Sequence, residues 1–154
     1  MSNLKQYFPA NRLAEAVSKA RPLSVEECLK QADENLRHIA GACADHVDRT
    51  LELLDGRLQE WPAQRDVAYL DTLYQLALRL IGAATTAGLP DLDRAAASLC
   101  EILEALAGDR SWDRNPVDIH VNALRVLRRP AGLGVGVSQL LEGLSKVRAK
   151  YVSA

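Results

Sequence analysis

The stretch SVEECLKQADENLRHIAGACADHVDRTLELLDGRLQEWP, Ser24 to Pro62, decides the fold. It opens with Ser24 and, three residues later, Glu27. That pair forms a capping box, in which the serine oxygen and the glutamate carboxylate each take one of the amides a helix start leaves without an internal acceptor. Leu23 just before it supplies the outer half of a hydrophobic staple. From there Leu29, Ala32, Leu36, Ile39, Cys43, Val47, Leu51, Leu54, Leu58 and Trp61 recur at steps of three and four, which keeps one apolar stripe on one side of a 3.6-residue helix. Gly41 and Gly56 are tolerated inside it, and Pro62 stops it. The spacing predicts a helix of about 35 residues, roughly 50 Å long. Nine acids against four bases along it leave −5, so its outward face is acidic.

The composition agrees with a helical chain. Of 154 residues 48 are leucine or alanine and only seven are aromatic, and the apolar and charged fractions of 48% and 25% are those of an ordinary globular protein. Collagenous, mucin-like and wholly disordered classes are excluded. A formal charge of −1 does not point to nucleic acid or an anionic membrane as a partner.

Beyond the long helix, apolar periodicity predicts a second helix from about Ala63 to Ala87, stopped by Gly88 and Pro90. A third begins at Asp91, whose carboxylate can cap it, and ends at Gly108. Pro116 favours the first turn of a fourth, which runs to Arg129-Pro130. The glycine-rich segment Ala131 to Val137 reads as a hinge before a last amphipathic helix, Ser138 to about Tyr151. Ahead of the long helix, residues 1–23 carry Lys5, Arg12, Lys19 and Arg21 against Glu15 alone, a basic arm of +3. The expected architecture is all-α: an antiparallel four-helix bundle over 24–130, with the short basic N-terminal arm 1–23 and an additional C-terminal helix after the Gly-rich hinge, 131–154.

The cysteines, Cys28, Cys43 and Cys100, are odd in number and unpaired in spacing, and are expected reduced and buried. Neither they nor His38, His46 and His120 form a ligand cluster, so no metal is expected. His38 falls on the solvated face of the long helix and His120 at the edge of the bundle. The glycine run lacks the lysine and hydroxyl of a phosphate loop and follows no strand, so no cofactor site is read from it. Arg125, Arg128 and Arg129 close the fourth helix where cations suit its dipole; without interleaved aromatics they make no nucleic-acid surface. The start of the chain lacks a signal-peptide core and no apolar run reaches membrane-spanning length, which predicts a cytoplasmic protein with no membrane partner.

One segment carries a sharper chemical possibility. Asp45-His46-Val47-Asp48-Arg49-Thr50 resembles the His box of sensor kinases, in which the histidine is followed by an acid and then, at the third and fourth positions, by arginine and threonine. His46, Arg49 and Thr50 match, the acid has moved to Asp48, Leu51 replaces the expected proline, and the chain has no ATP-binding pattern. That resemblance implies a phosphotransfer site with His46 as phosphate acceptor, Arg49 steadying the phosphoryl oxygens and Asp48 orienting the imidazole. No Ser/His/Asp or Cys/His order singles out any other catalytic group, and the sequence points away from an enzyme.

A second resemblance rests on Asn11-Arg12-Leu13-Ala14 through Pro22, followed by Ser24-Val25 opening a helix that contains Ala32-Asp33-Glu34-Asn35-Leu36. These residues resemble CheE-type proteins, short accessories associated with chemotaxis gene clusters of alphaproteobacteria. The likeness implies a cytoplasmic accessory of two-component signalling rather than an enzyme with its own substrate, and it brings no site residues with it. The sequence thus predicts a non-catalytic helical interaction protein that presents the acidic long helix, the basic arm or the last helix to a signalling protein or to a second copy of itself, with phosphotransfer through His46 as the alternative.

Overall fold

The computed structural model describes residues 24–108, 112–129 and 136–152, and all regular structure among them is helical. Among the described residues five helices carry the fold: α1 Val25–Gln59, α2 Val67–Leu80, α3 Pro90–Gly108, α4 Asn115–Arg128 and α5 Gly136–Val152, with a single helical turn, Ala83–Thr86, between α2 and α3. The basic arm and most of the glycine hinge, 1–23 and 130–135, lie outside the described residues. The chain divides into two units, Met1–Leu36 and Arg37–Ala154.

In the first unit the described residues form the opening of α1. The capping box is present in full: the Ser24 amide donates to Glu27 Oε2 at 2.8 Å and the Glu27 amide donates to Ser24 Oγ at 3.1 Å. Every residue from Ser24 to Leu36 is exposed.

The second unit holds the core. α3 is its centre and packs against α2, α4, α5 and the helical turn. It buries Leu92, Ala95, Ala96, Leu99, Cys100, Ile102, Leu103 and Leu106, a stripe wide enough for several neighbours, and its two alanines let a neighbouring helix approach closely. From α1 the core takes Val47, Leu51, Leu54 and Leu58. Two ion pairs tie α1 to α4. Arg128 Nε and Nη2 donate to the two oxygens of Asp48 at 2.5 and 2.7 Å, and Arg125 Nε reaches both oxygens of Asp55 at 2.8 Å. Arg125 and Arg128, two of the three arginines that close α4, therefore pair across helices as well as lying near the helix dipole.

The expected second helix is two pieces. α2 starts later, at Val67, where the Asp66 carboxylate caps the Tyr69 amide at 3.1 Å, and it ends at Leu80 because Gly82 takes φ +80°. The Gly82 amide is held by Asp93 Oδ1 at 2.5 Å, which anchors the break to α3. Gly88, at φ +79°, ends the helical turn as the sequence predicts. α3 begins one residue early, at Pro90, with Asp91 in its first turn.

The two tryptophans, far apart in sequence, meet beneath the α1–α2 connection. Trp61 and Trp112 have ring centroids 4.7 Å apart, Tyr69 stands edge-on to Trp61 at 5.4 Å, and Trp112 Nε1 donates to the Pro62 carbonyl at 3.0 Å. Each indole thus buries apolar surface, and that of Trp112 satisfies its polar end. α5 is fixed in the unit by buried Leu144, by Arg148 on Glu101 at 3.2 Å, and by the Tyr151 hydroxyl donating to Asp113 at 2.5 Å.

Candidate functional site

The first half of α1 holds what the sequence alone misplaced. Its part of the apolar stripe was expected to join the core, yet Leu29 and Leu36 are 62% and 64% exposed and, in the second unit, Ile39 is 49% exposed; Val25, ahead of the stripe, is 78% exposed. At 1.5 Å per residue α1 spans about 52 Å, and burial along it begins only at Val47.

Spacing gives that exposed row a definite character. Val25, Leu29, Ala32 and Leu36 step by four, three and four, the 3.5-residue repeat that lets one helix hold its apolar seam against another. In this register Leu29 and Leu36 take one seam position and Val25 and Ala32 the other. The flanking positions are Glu26 and Asp33 on one side and Cys28 and Asn35 on the other. The flanks are thus acidic or neutral, with no base among them.

The residues of the His-box pattern lie further along α1, in the second unit. His46 is half-buried, and its ring has no hydrogen-bond partner among the described residues. Asp48 does not reach it, since both carboxylate oxygens hold Arg128. Arg49 donates from Nε to the Asp45 carbonyl at 3.2 Å, and Thr50 is buried with its hydroxyl on the His46 carbonyl at 2.8 Å. The three residues named for phosphotransfer share a helix but are not brought together as a triad.

His120 is a correction. It is not at the edge but fully buried, and both ring nitrogens are engaged. Nδ1 lies 2.7 Å from the Pro116 carbonyl and Nε2 lies 2.9 Å from Ser98 Oγ. A carbonyl can only accept, so Nδ1 carries the proton and Nε2 accepts that of Ser98. Burial pushes the imidazole below its ordinary value, the Pro116 carbonyl opposes this, and the Arg148 charge adds to it. The ring is therefore neutral at pH 7. Sequence periodicity could have placed His120 inside, because it lies three residues after Val117 and four before Leu124 on the apolar face of α4, but nothing in the sequence pairs it with Ser98.

His38 is exposed as expected. The cysteines are free, but Cys28 is exposed and Cys43 half-buried, and only Cys100 is buried as anticipated. Burial pushes the Cys100 thiol up to about 11, with Glu104 and Glu101 adding to the shift, so it stays protonated at neutral pH. Among the described residues no helix is long and apolar enough to cross a membrane, and no group of three or more His, Cys, Asp or Glu is placed to hold a metal ion.

The fold is thus an all-helical assembly around a leucine- and alanine-rich core. A comparison of the chain with protein families, curated proteins and solved structures returns no match.

Proposed function

We propose that this is a non-catalytic interaction protein that receives a helix of a partner protein along the first half of α1. The observation that carries this reading is the exposed row Val25, Leu29 and Leu36 in coiled-coil register. An apolar seam of this kind is stabilised by a second helix that covers it. Charge selects the partner's character. The flanks carry Glu26 and Asp33 and no base, so self-pairing gains no opposite charges across the seam, while an amphipathic helix with Lys or Arg beside its own seam gains them.

The resemblance of residues 11–36 to CheE-type accessories supports a partner among chemotaxis or two-component signalling proteins. In this reading the helices of the second unit close as an antiparallel bundle. The test is binding of the full chain to purified chemotaxis kinases and response regulators by biolayer interferometry. Binding lost in a Leu29→Glu, Leu36→Glu double variant of unchanged helicity is the expected result. No binding to any of them, or binding that the double variant retains, overturns it. A solution mass of two chains that falls to one in the double variant assigns the seam to a second copy instead.

The half-buried ring of His46, without a hydrogen-bond partner among the described residues, supports a second reading, a phosphotransfer protein in which that histidine acts without Asp48. Incubation with a phosphorylated response regulator should then leave an acid-labile label that His46→Ala abolishes. Without label in the native chain, that reading fails.

A further inference from the structure

A cleft between α3 and α5 lies over the Ser98–His120 pair, on elements the proposed partner site does not use. Its volume is about 160 Å³, and it is lined by Arg94, Ala95 and Ser98 from α3 and by Leu141, Leu144, Ser145 and Arg148 from α5. Drug-sized ligands occupy roughly 300–1,000 Å³, so this space suits a group of a few heavy atoms. The polar lining consists of two guanidinium groups and two hydroxyls, and none of the lining residues is acidic. Two carboxylates outside the lining pair with these arginines: Asp91 lies 3.4 Å from one Arg94 nitrogen and Glu101 lies 3.2 Å from one Arg148 nitrogen. Each guanidinium has five N–H donors and gives one such contact, so both keep donors for a ligand. Size and charge together select a small oxyanion.

Ser98 adds a finer requirement. Its single proton is drawn to His120 Nε2, because Nδ1 is bound to the Pro116 carbonyl and Nε2 is left as the acceptor. The Ser98 oxygen therefore turns lone pairs, not a proton, toward the cleft. An oxyanion without a hydrogen meets those lone pairs as one acceptor against another. One that retains a hydroxyl donates to them while its other oxygens take the arginines.

We propose that this cleft binds hydrogen phosphate, with Arg94 and Arg148 holding the charged oxygens and Ser98, oriented by His120, accepting the P–OH. Sulfate has the same shape and charge and no proton, so it is the discriminating probe. A phosphomonoester such as phosphoserine, whose second pKa is about 6, has lost its proton at pH 7.5 and separates a terminal phosphate group from the free ion.

The experiment is isothermal titration of the full chain at pH 7.5 and constant ionic strength with inorganic phosphate, sulfate and phosphoserine. Phosphate is expected to bind about tenfold or more tightly than either competitor, the order of discrimination an unpaired polar contact produces. Ser98→Ala should bring phosphate and sulfate to within about twofold of each other. Arg148→Ala should weaken both together. Equal binding of phosphate and sulfate to the native chain overturns the proposal, as does tight phosphoserine binding or no phosphate binding at millimolar concentration. The comparison of anions on the native protein stands whether or not the variants fold.

Discussion

The ring of His120 is held between the Pro116 carbonyl and the Ser98 hydroxyl. It is fully buried and neutral, with its pKa held below the ordinary 6.5. In the unfolded chain the same imidazole takes up a proton at that ordinary value, so below about pH 6.5 the unfolded state binds more protons than the folded one. The stability contributed by keeping the ring neutral is present above this pH and is lost as pH falls through the folded value. Thermal melting from about pH 7 to about pH 5 should show the native protein losing stability more steeply than His120→Gln, which cannot titrate. Parallel pH profiles for the two would contradict this account of the buried ring. The opposite case is Cys100, whose raised pKa leaves it an inert core thiol. Neither property was visible in the residue types. A histidine flanked by Ile119 and Val121 can stand inside or at a margin, and only the Ser98 hydroxyl from another helix decides which.

Helix ends were the most legible elements. The Ser24–Glu27 box, the stop at Gly88 and the proline in the first turn of α4 each depend on residues three or four apart, so the sequence contains the complete interaction. The break after α2 was hidden by the apolar spacing of Ala77, Leu80, Ile81 and Ala84, which suits an unbroken helix. What interrupts it is Gly82 at φ +80°, with its amide on Asp93 from α3. A Cβ at Gly82 would meet no atom within 4 Å, so a substitution there tests backbone conformation alone. Gly82→Ala should cost about 1–3 kcal/mol in chemical denaturation. A neutral result would mean that the chain continues as a helix at no penalty. The α1–α4 ion pairs also exceeded what local spacing can show. Asp48 and Arg128 are separated by 80 positions, and each sat in a pattern that a helix surface or a helix dipole already explained.

Considered as a whole, the molecule uses one long helix in two ways. Its second half contributes Val47, Leu51, Leu54 and Leu58 to a common core, and its first half keeps leucines in water. A pair of substitutions measures this division. Leu54→Ala, at a fully buried position, should cost about 2–5 kcal/mol of unfolding free energy. Leu29→Ala, at an exposed one, should stay within about 0.5 kcal/mol. Comparable losses at the two positions would show that both halves of α1 are covered in solution. The charge distribution follows the same division: the described part of the first unit has Glu26, Glu27, Asp33 and Glu34 against Lys30, while the acids Asp48 and Asp55 are paired with arginines of α4.

Helicity, the length of α1, its capping and the amphipathic character of each segment were settled locally, because backbone hydrogen bonds, caps and apolar periodicity act within one or two turns. Burial was not. Whether Leu29 meets water or protein, whether His120 is solvated, and whether Trp61 finds Trp112 depend on which distant segments displace solvent. That displacement is a property of packed helices of unequal length rather than of any window of sequence. The same holds for the cleft of Arg94, Ser98, Ser145 and Arg148, whose polar groups come from two helices and acquire a common chemistry only when α3 and α5 are brought side by side.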